Sequence, residues 1–201
     1  MIRTAFASTL RLSLLIVALL AMAGCDRDAR WHLHDITGFM PDLVFTLSDA
    51  NTGAQVTAQA FRDKIVLLYF GYTHCPDVCP TTLAKLASAV TSLGQSGRSV
   101  QVLFVTVDPR RDTRAVLRRY TRAFGPEFVG LRGTQEQLMT LAKRYRVTYS
   151  YGKPDPKGNY EVDHSSAVFI FDRAGHARLL ADPTDGVKAI ESDLRRLLKQ
   201  S

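Results

Sequence analysis

Cysteine is scarce: the 201 residues hold three, and only Cys75 and Cys79 lie within the body of the chain. Long apolar runs are missing as well. The N-terminal run over residues 12–23 is twelve residues long, whereas a helix crossing a bilayer needs about 20. Nor is there a block of like charge. The formal charge of +7 is spread along the sequence, and most Lys and Arg fall on the outer faces of amphipathic helices. With no recognised nucleic-acid motif beside it, this charge reads as solvated surface, and no nucleic-acid partner is expected. No internal repeat is present. A chain of this length with 46% hydrophobic residues supports one globular domain and is too short for two.

What is there begins with Arg3 and Arg11 ahead of the apolar run, closed by Gly24-Cys25. Charged, apolar and small-residue parts in that order make an export signal. Leu20-Ala21-Met22-Ala23-Gly24-Cys25 resembles a bacterial lipoprotein signal, which implies a lipid on Cys25 as the mature N-terminus. An uncleaved signal anchor is the alternative. Either places the domain outside the cytoplasm and near a membrane. By the same resemblance, Asp26 implies the periplasmic side of the inner membrane. The expected plan is a signal peptide at 1–24, a membrane-proximal linker at 25–40 and one domain at 41–201.

The chain is organised around Gly71-Tyr72-Thr73-His74-Cys75-Pro76-Asp77-Val78-Cys79-Pro80, between a β-rich apolar run at 65–70 and an amphipathic stretch at 83–93. Strand, thiol-bearing turn, helix is the reading. Cysteines four apart on one helical face stand roughly 5–6 Å apart at Cβ. That spacing suits either a disulfide or two thiolates on one soft metal ion. In an oxidising compartment an isolated pair is a structural bridge or a working site. A bridge over so short a loop limits the unfolded chain little, which favours the working site.

Before this stretch, short alternating runs at 43–47 and 55–57 predict a hairpin. After it, residues 100–107 predict a second strand, then a helix capped by Asp112 with Val116, Leu117, Tyr120 and Phe124 inward. The resulting βαβ unit requires parallel strands. Thr134 with Gln137 predicts a capping box for a third helix, with Leu138, Leu141, Ala142 and Tyr145 inward. Residues 150–161, with two Gly and two Pro, read as a loop. Strands at 166–171 and 177–180 and a helix over 187–198 close the chain.

This order is the thioredoxin-like arrangement: α/β, a central mixed sheet flanked by helices, with an extra N-terminal hairpin. The thiol stretch resembles the Sco (SenC/PrrC-type) family of copper proteins. So do Val105-Thr106-Val107-Asp108-Pro109-Arg110-Arg111-Asp112-Thr113 and Tyr160-Glu161-Val162-Asp163-His164-Ser165. The resemblance implies copper ligation by Cys75, Cys79 and His164, two sulfurs and an imidazole able to serve both Cu(I) and Cu(II). It also implies a Cys75–Cys79 disulfide in the oxidised form. Where redox-active thioredoxins place a cis-proline facing the thiols, this chain has Asp163-His164-Ser165, which favours a ligand over a disulfide-exchange platform. A copper chaperone for the binuclear centre in subunit II of cytochrome c oxidase is the implied role. A copper donor and a thioredoxin-like reductant would be further partners.

A periplasmic thiol-disulfide oxidoreductase using the same cysteines is the competing reading. A thioredoxin-superfamily peroxidase would need one activated thiol, and nothing in the sequence separates the two. His74 should point away from Cys75 at the strand end. His32, His34 and His176 have no sequence partners and read as surface. Asp77 and Asp163 either orient ligands or partners, or serve as a helix cap and a loop hydrogen bond. The segment Asp108-Pro109-Arg110 reads as a helix entry packed beneath the site.

Overall fold

The computed structural model describes residues 30–200, so the expected signal peptide and Cys25 lie outside the described residues. Among those described, the chain forms ten strands and four α-helices: β1 (His34–Asp35), β2 (Thr46–Asp49), β3 (Gln55–Thr57), β4 (Ile65–Gly71), α1 (Val78–Ser92), β5 (Val100–Thr106), α2 (Arg114–Arg122), β6 (Phe128–Arg132), α3 (Gln135–Arg144), β7 (Tyr149–Tyr151), β8 (Val162–His164), β9 (Val168–Phe171), β10 (Ala177–Ala181) and α4 (Val187–Gln200).

Every residue of β4 and β5 is buried, as expected of strands covered on both faces; β4 is a continuous apolar run, and β5 is apolar apart from Gln101 and Thr106. They pair in parallel from Ile65 with Val100 to Gly71 with Thr106. With β6 parallel on β5 and β9 antiparallel on β4, they centre an eight-stranded mixed sheet of order β1-β10-β9-β4-β5-β6-β2-β3. The expected hairpin is β2–β3. Successive strand residues face opposite sides. Tyr69 therefore meets Phe104 and, through it, Tyr120 of α2 on one side. On the other, Phe169, level with Leu68, packs under Tyr145 at the end of α3. Helices cover both faces.

Local signals set the helix starts. Pro80 lies in the first turn of α1, where a missing N–H leaves no bond unmade. Thr134 and Gln137 form the reciprocal capping box expected for α3, a device that stabilises a helix by about 1 kcal/mol. The cap of α2 differs from expectation: Thr113 accepts from Val116 N at 3.3 Å, while Asp112 turns inward with no exposed surface.

Three segments differ from the sequence reading. Residues 31–40, expected as linker, join the domain: β1 pairs with β10, and Leu33 is buried. The cause lies far along the chain. Asp193 of α4 is a buried carboxylate that accepts from His32 N at 2.9 Å, Leu33 N at 2.8 Å and His32 Nδ1 at 3.0 Å. Trp31 stacks on Arg196, 3.9 Å from the ring centroid. Second, β6 extends the parallel set where no strand was expected. Third, the expected loop at 150–161 is flanked by β7 and β8, an antiparallel ribbon separate from the main sheet.

Candidate metal centre

The end of β4, the turn after it, the first turn of α1 and the end of β8 converge on three ligand atoms. Cys75 sits in the turn and Cys79 one residue into α1, both free thiols and both buried. His164 closes β8. Its Nε2 stands 3.3 Å from Cys79 Sγ, and the ligand atoms of Cys75, Cys79 and His164 all lie within 4.8 Å of one another. Ligands sharing an ion at about 2.3 Å for sulfur and about 2.0 Å for nitrogen stand roughly 3.5 Å apart. The three donors thus fit one soft metal ion with small adjustments.

The imidazole is set for ligation. His164 Nδ1 lies 3.0 Å from Ser165 O. A carbonyl only accepts, so Nδ1 carries the proton and Nε2 turns its lone pair toward the sulfurs. Burial lowers the His164 pKa from its ordinary value, which keeps the ring neutral at pH 7. The rings of Tyr69 and Tyr72 flank it edge-on, with centroids 6.1 and 5.9 Å away. Burial raises both phenols and pushes the Cys79 thiol up to about 12. In the metal-free protein Cys79 therefore holds its proton, and Cys79 N donates to Cys75 Sγ at 3.4 Å.

Gly71 admits Cys79. A Cβ there would lie 2.7 Å from Phe104 Cε2 and 3.0 Å from Cys79 Sγ. Gly71→Ala is expected to displace the sulfur and to cost about 1–3 kcal/mol of stability from overpacking. Thermal melts and copper titration check this; wild-type values in both would refute the close fit.

The other sequence candidates stay outside. His74 is half exposed and faces Thr73 Oγ1 and Asp112, away from the thiols. His32 and His176 are largely exposed, although each has a carboxylate neighbour, Asp193 and Asp172. His34 is exposed on β1. Asp77 holds the cap position of α1 without bonding its backbone, and accepts from Thr81 Oγ1 at 3.2 Å. Asp163 is exposed beside His164. Sequence reasoning missed the inward role of Asp112, because an acid just before a helix signals a cap. It also missed Tyr160, whose hydroxyl reaches Asp108 Oδ1 at 2.8 Å.

A thioredoxin-like domain with two thiols and an imidazole gathered at the end of its central strand defines a class: thioredoxin-fold proteins built to hold a soft metal ion. The family model described as SCO1/SenC matches residues 42–199. This chain belongs to the SCO1/SenC family. It is 43% identical over 148 residues to the Protein SCO2 homolog, mitochondrial, of Bos taurus, covering 69% of this chain and 56% of that one. The chain thus spans about half the length of the curated relatives it matches. Among solved structures, Arabidopsis thaliana ScoI with copper bound superposes with a TM-score of 0.73 at 32% identity, over 80% of this chain and 99% of that one. Apo Sco1 from Thermus thermophilus gives 0.74 at 36%, over 84% and 97%.

Proposed function

We propose that this protein is a copper metallochaperone that carries copper on Cys75, Cys79 and His164. Its client in this reading is subunit II of cytochrome c oxidase, where the copper enters the binuclear centre. The observation that carries the reading is the approach of His164 Nε2 to Cys79 Sγ, 3.3 Å, beside a second thiol. Copper-bound relatives support it, as does the chemistry: thiolates favour Cu(I), and the added imidazole extends the set to Cu(II). Thiol–disulfide exchange is less well supported. An imidazole faces the thiols, His164 Nε2 lying 3.3 Å from Cys79 Sγ, where an exchange site would receive an incoming disulfide. The supply side of this proposal is a copper donor protein and a thioredoxin-like reductant.

The test is copper stoichiometry and affinity of the reduced domain, measured against a competing chelator at several pH values. One ion per chain is expected. The metal must displace at least the Cys79 proton, so apparent affinity should rise about tenfold per pH unit for each proton displaced. Below the lowered pKa of His164, proton competition at the ring should weaken Cu(II) further. A flat profile, or no bound copper, would refute the site.

We also propose a periplasmic location, tethered to the inner membrane by lipid on Cys25 or by an uncleaved anchor. Mass spectrometry of the mature chain decides this; an unmodified N-terminus beyond residue 25 would exclude both tethers.

A further inference from the structure

The loop between β5 and α2, residues 107–113, supplies none of the three proposed ligands, yet it is bonded to both segments that carry them. On one side, the fully buried Asp112 accepts from Thr73 N at 3.0 Å, Thr73 Oγ1 at 2.6 Å and Thr106 Oγ1 at 2.6 Å. Thr73 lies two residues before Cys75. The carboxylate thereby pins the thiol turn to the end of β5.

On the other side, the equally buried Asp108 pairs with Arg111 Nε and accepts from Tyr160 OH at 2.8 Å. Arg111 Nη1 donates to Tyr160 O at 2.7 Å, and the guanidinium lies over the Tyr160 ring, 3.7 Å from its centroid. Tyr151 OH donates to Val107 O at 2.6 Å. Tyr151 ends β7 and Tyr160 leads into β8, so the ribbon that carries His164 is fastened through both strands. Among the described residues no ladder to the main sheet does this work, because β7 and β8 pair only with each other.

We infer that this loop is the spacer of the metal site, with its residues in two positioning roles. Asp112 fixes the thiol turn. Asp108 and Arg111, through Tyr160, fix the histidine ribbon. This short connection, together with the contact of the Tyr72 side chain with the Val162 backbone, therefore sets the distance from the sulfurs to the imidazole, and its two ends are expected to fail separately. This inference rests on the three-ligand reading of the site. Charge-assisted hydrogen bonds to buried carboxylates suit the role, being short and directional. Groups of this kind behind a metal ligand typically change metal affinity by 10–100-fold when altered.

The experiment compares Tyr160→Phe and Asp112→Asn, with Asp108→Asn and Arg111→Lys as supporting variants. Tyr160→Phe removes one hydroxyl and keeps the ring under Arg111, so the fold survives. It should lose Cu(II) affinity about 10–100-fold and shift the thiolate-to-Cu(II) absorption, while Cu(I), held by the two thiolates, stays at the wild-type value. Amide exchange at residues 162–164 of the metal-free protein should quicken. Asp112→Asn should weaken both oxidation states. Arg111→Lys keeps the charge beside Asp108 but loses the fork, and should fall between wild type and Asp108→Asn. Wild-type Cu(II) affinity in Tyr160→Phe would overturn the inference. An equal loss of Cu(I) and Cu(II) in both main variants would also overturn it, since that is general destabilisation. If the wild-type protein itself binds no Cu(II), the three-ligand reading fails instead. Amide exchange in the metal-free ribbon then decides the positioning roles alone, with an unchanged rate in Tyr160→Phe counting against them.

Discussion

His164→Ala should leave a protein that takes up Cu(I) on two sulfurs and no longer retains Cu(II). The imidazole is the sole nitrogen in the candidate donor set, and its Nε2 is already aimed at the sulfurs by the bond from Nδ1 to Ser165 O. Two thiolates alone satisfy a soft monovalent ion but serve the divalent ion poorly. Loss of a ligand should exceed the effect of altering a group behind one, so a fall in Cu(II) affinity of more than about a hundredfold is expected. Absorption-monitored titration reads this directly. The Cys75 and Cys79 thiols should still cycle between dithiol and disulfide. If the protein serves the client proposed above, oxidase assembly should fail in cells at ordinary copper supply. Normal assembly with His164→Ala would move the function toward the reductase reading.

Full oxidation of the metal-free domain should remove copper binding altogether, because the sulfurs that bind the ion are the ones that form the bridge. A disulfide offers no thiolate. The two sulfurs already lie within 4.8 Å, and closure needs them at about 2.05 Å. The bridge would span so short a loop that it adds only about 2 kcal/mol to stability, well below a long-loop bridge. Oxidation should therefore act on metal uptake far more than on the melting temperature. Titrating bridged protein with and without a reductant tests this. Equal tight binding in both samples would place the metal elsewhere.

The central strands were legible because burial on both faces writes itself as apolar sequence, unbroken in β4 and interrupted in β5 only by Gln101 before the closing Thr106. The α3 cap was legible because its two partners lie three residues apart. The three candidate ligands were readable only through motifs, since Cys79 and His164 are 85 positions apart and no local pattern joins them. What escaped was long-range. Leu33 is buried because Asp193, 160 positions on, satisfies the backbone that leads into it. Asp112 abandons the cap for Thr73 and Thr106, which local sequence does not place beside it. Gly152, Pro154, Pro156 and Gly158 announce a loop truthfully, yet hide the short strands on either side of it.

Among the described residues the open sheet of eight strands has two free edges, and both are very short: β1 has two residues and β3 three. Such stubs give another chain's backbone little to pair with. A fragment trimmed to begin at residue 41 would lose β1 and expose β10 as the new edge, five residues with three of them buried in the intact sheet. It would also strip Asp193 of three hydrogen-bond donors at once. The cut that looks cleanest in the sequence is thus the one that would turn the folded domain into a template for its own aggregation. Ten residues beginning at Trp31 stand between those outcomes.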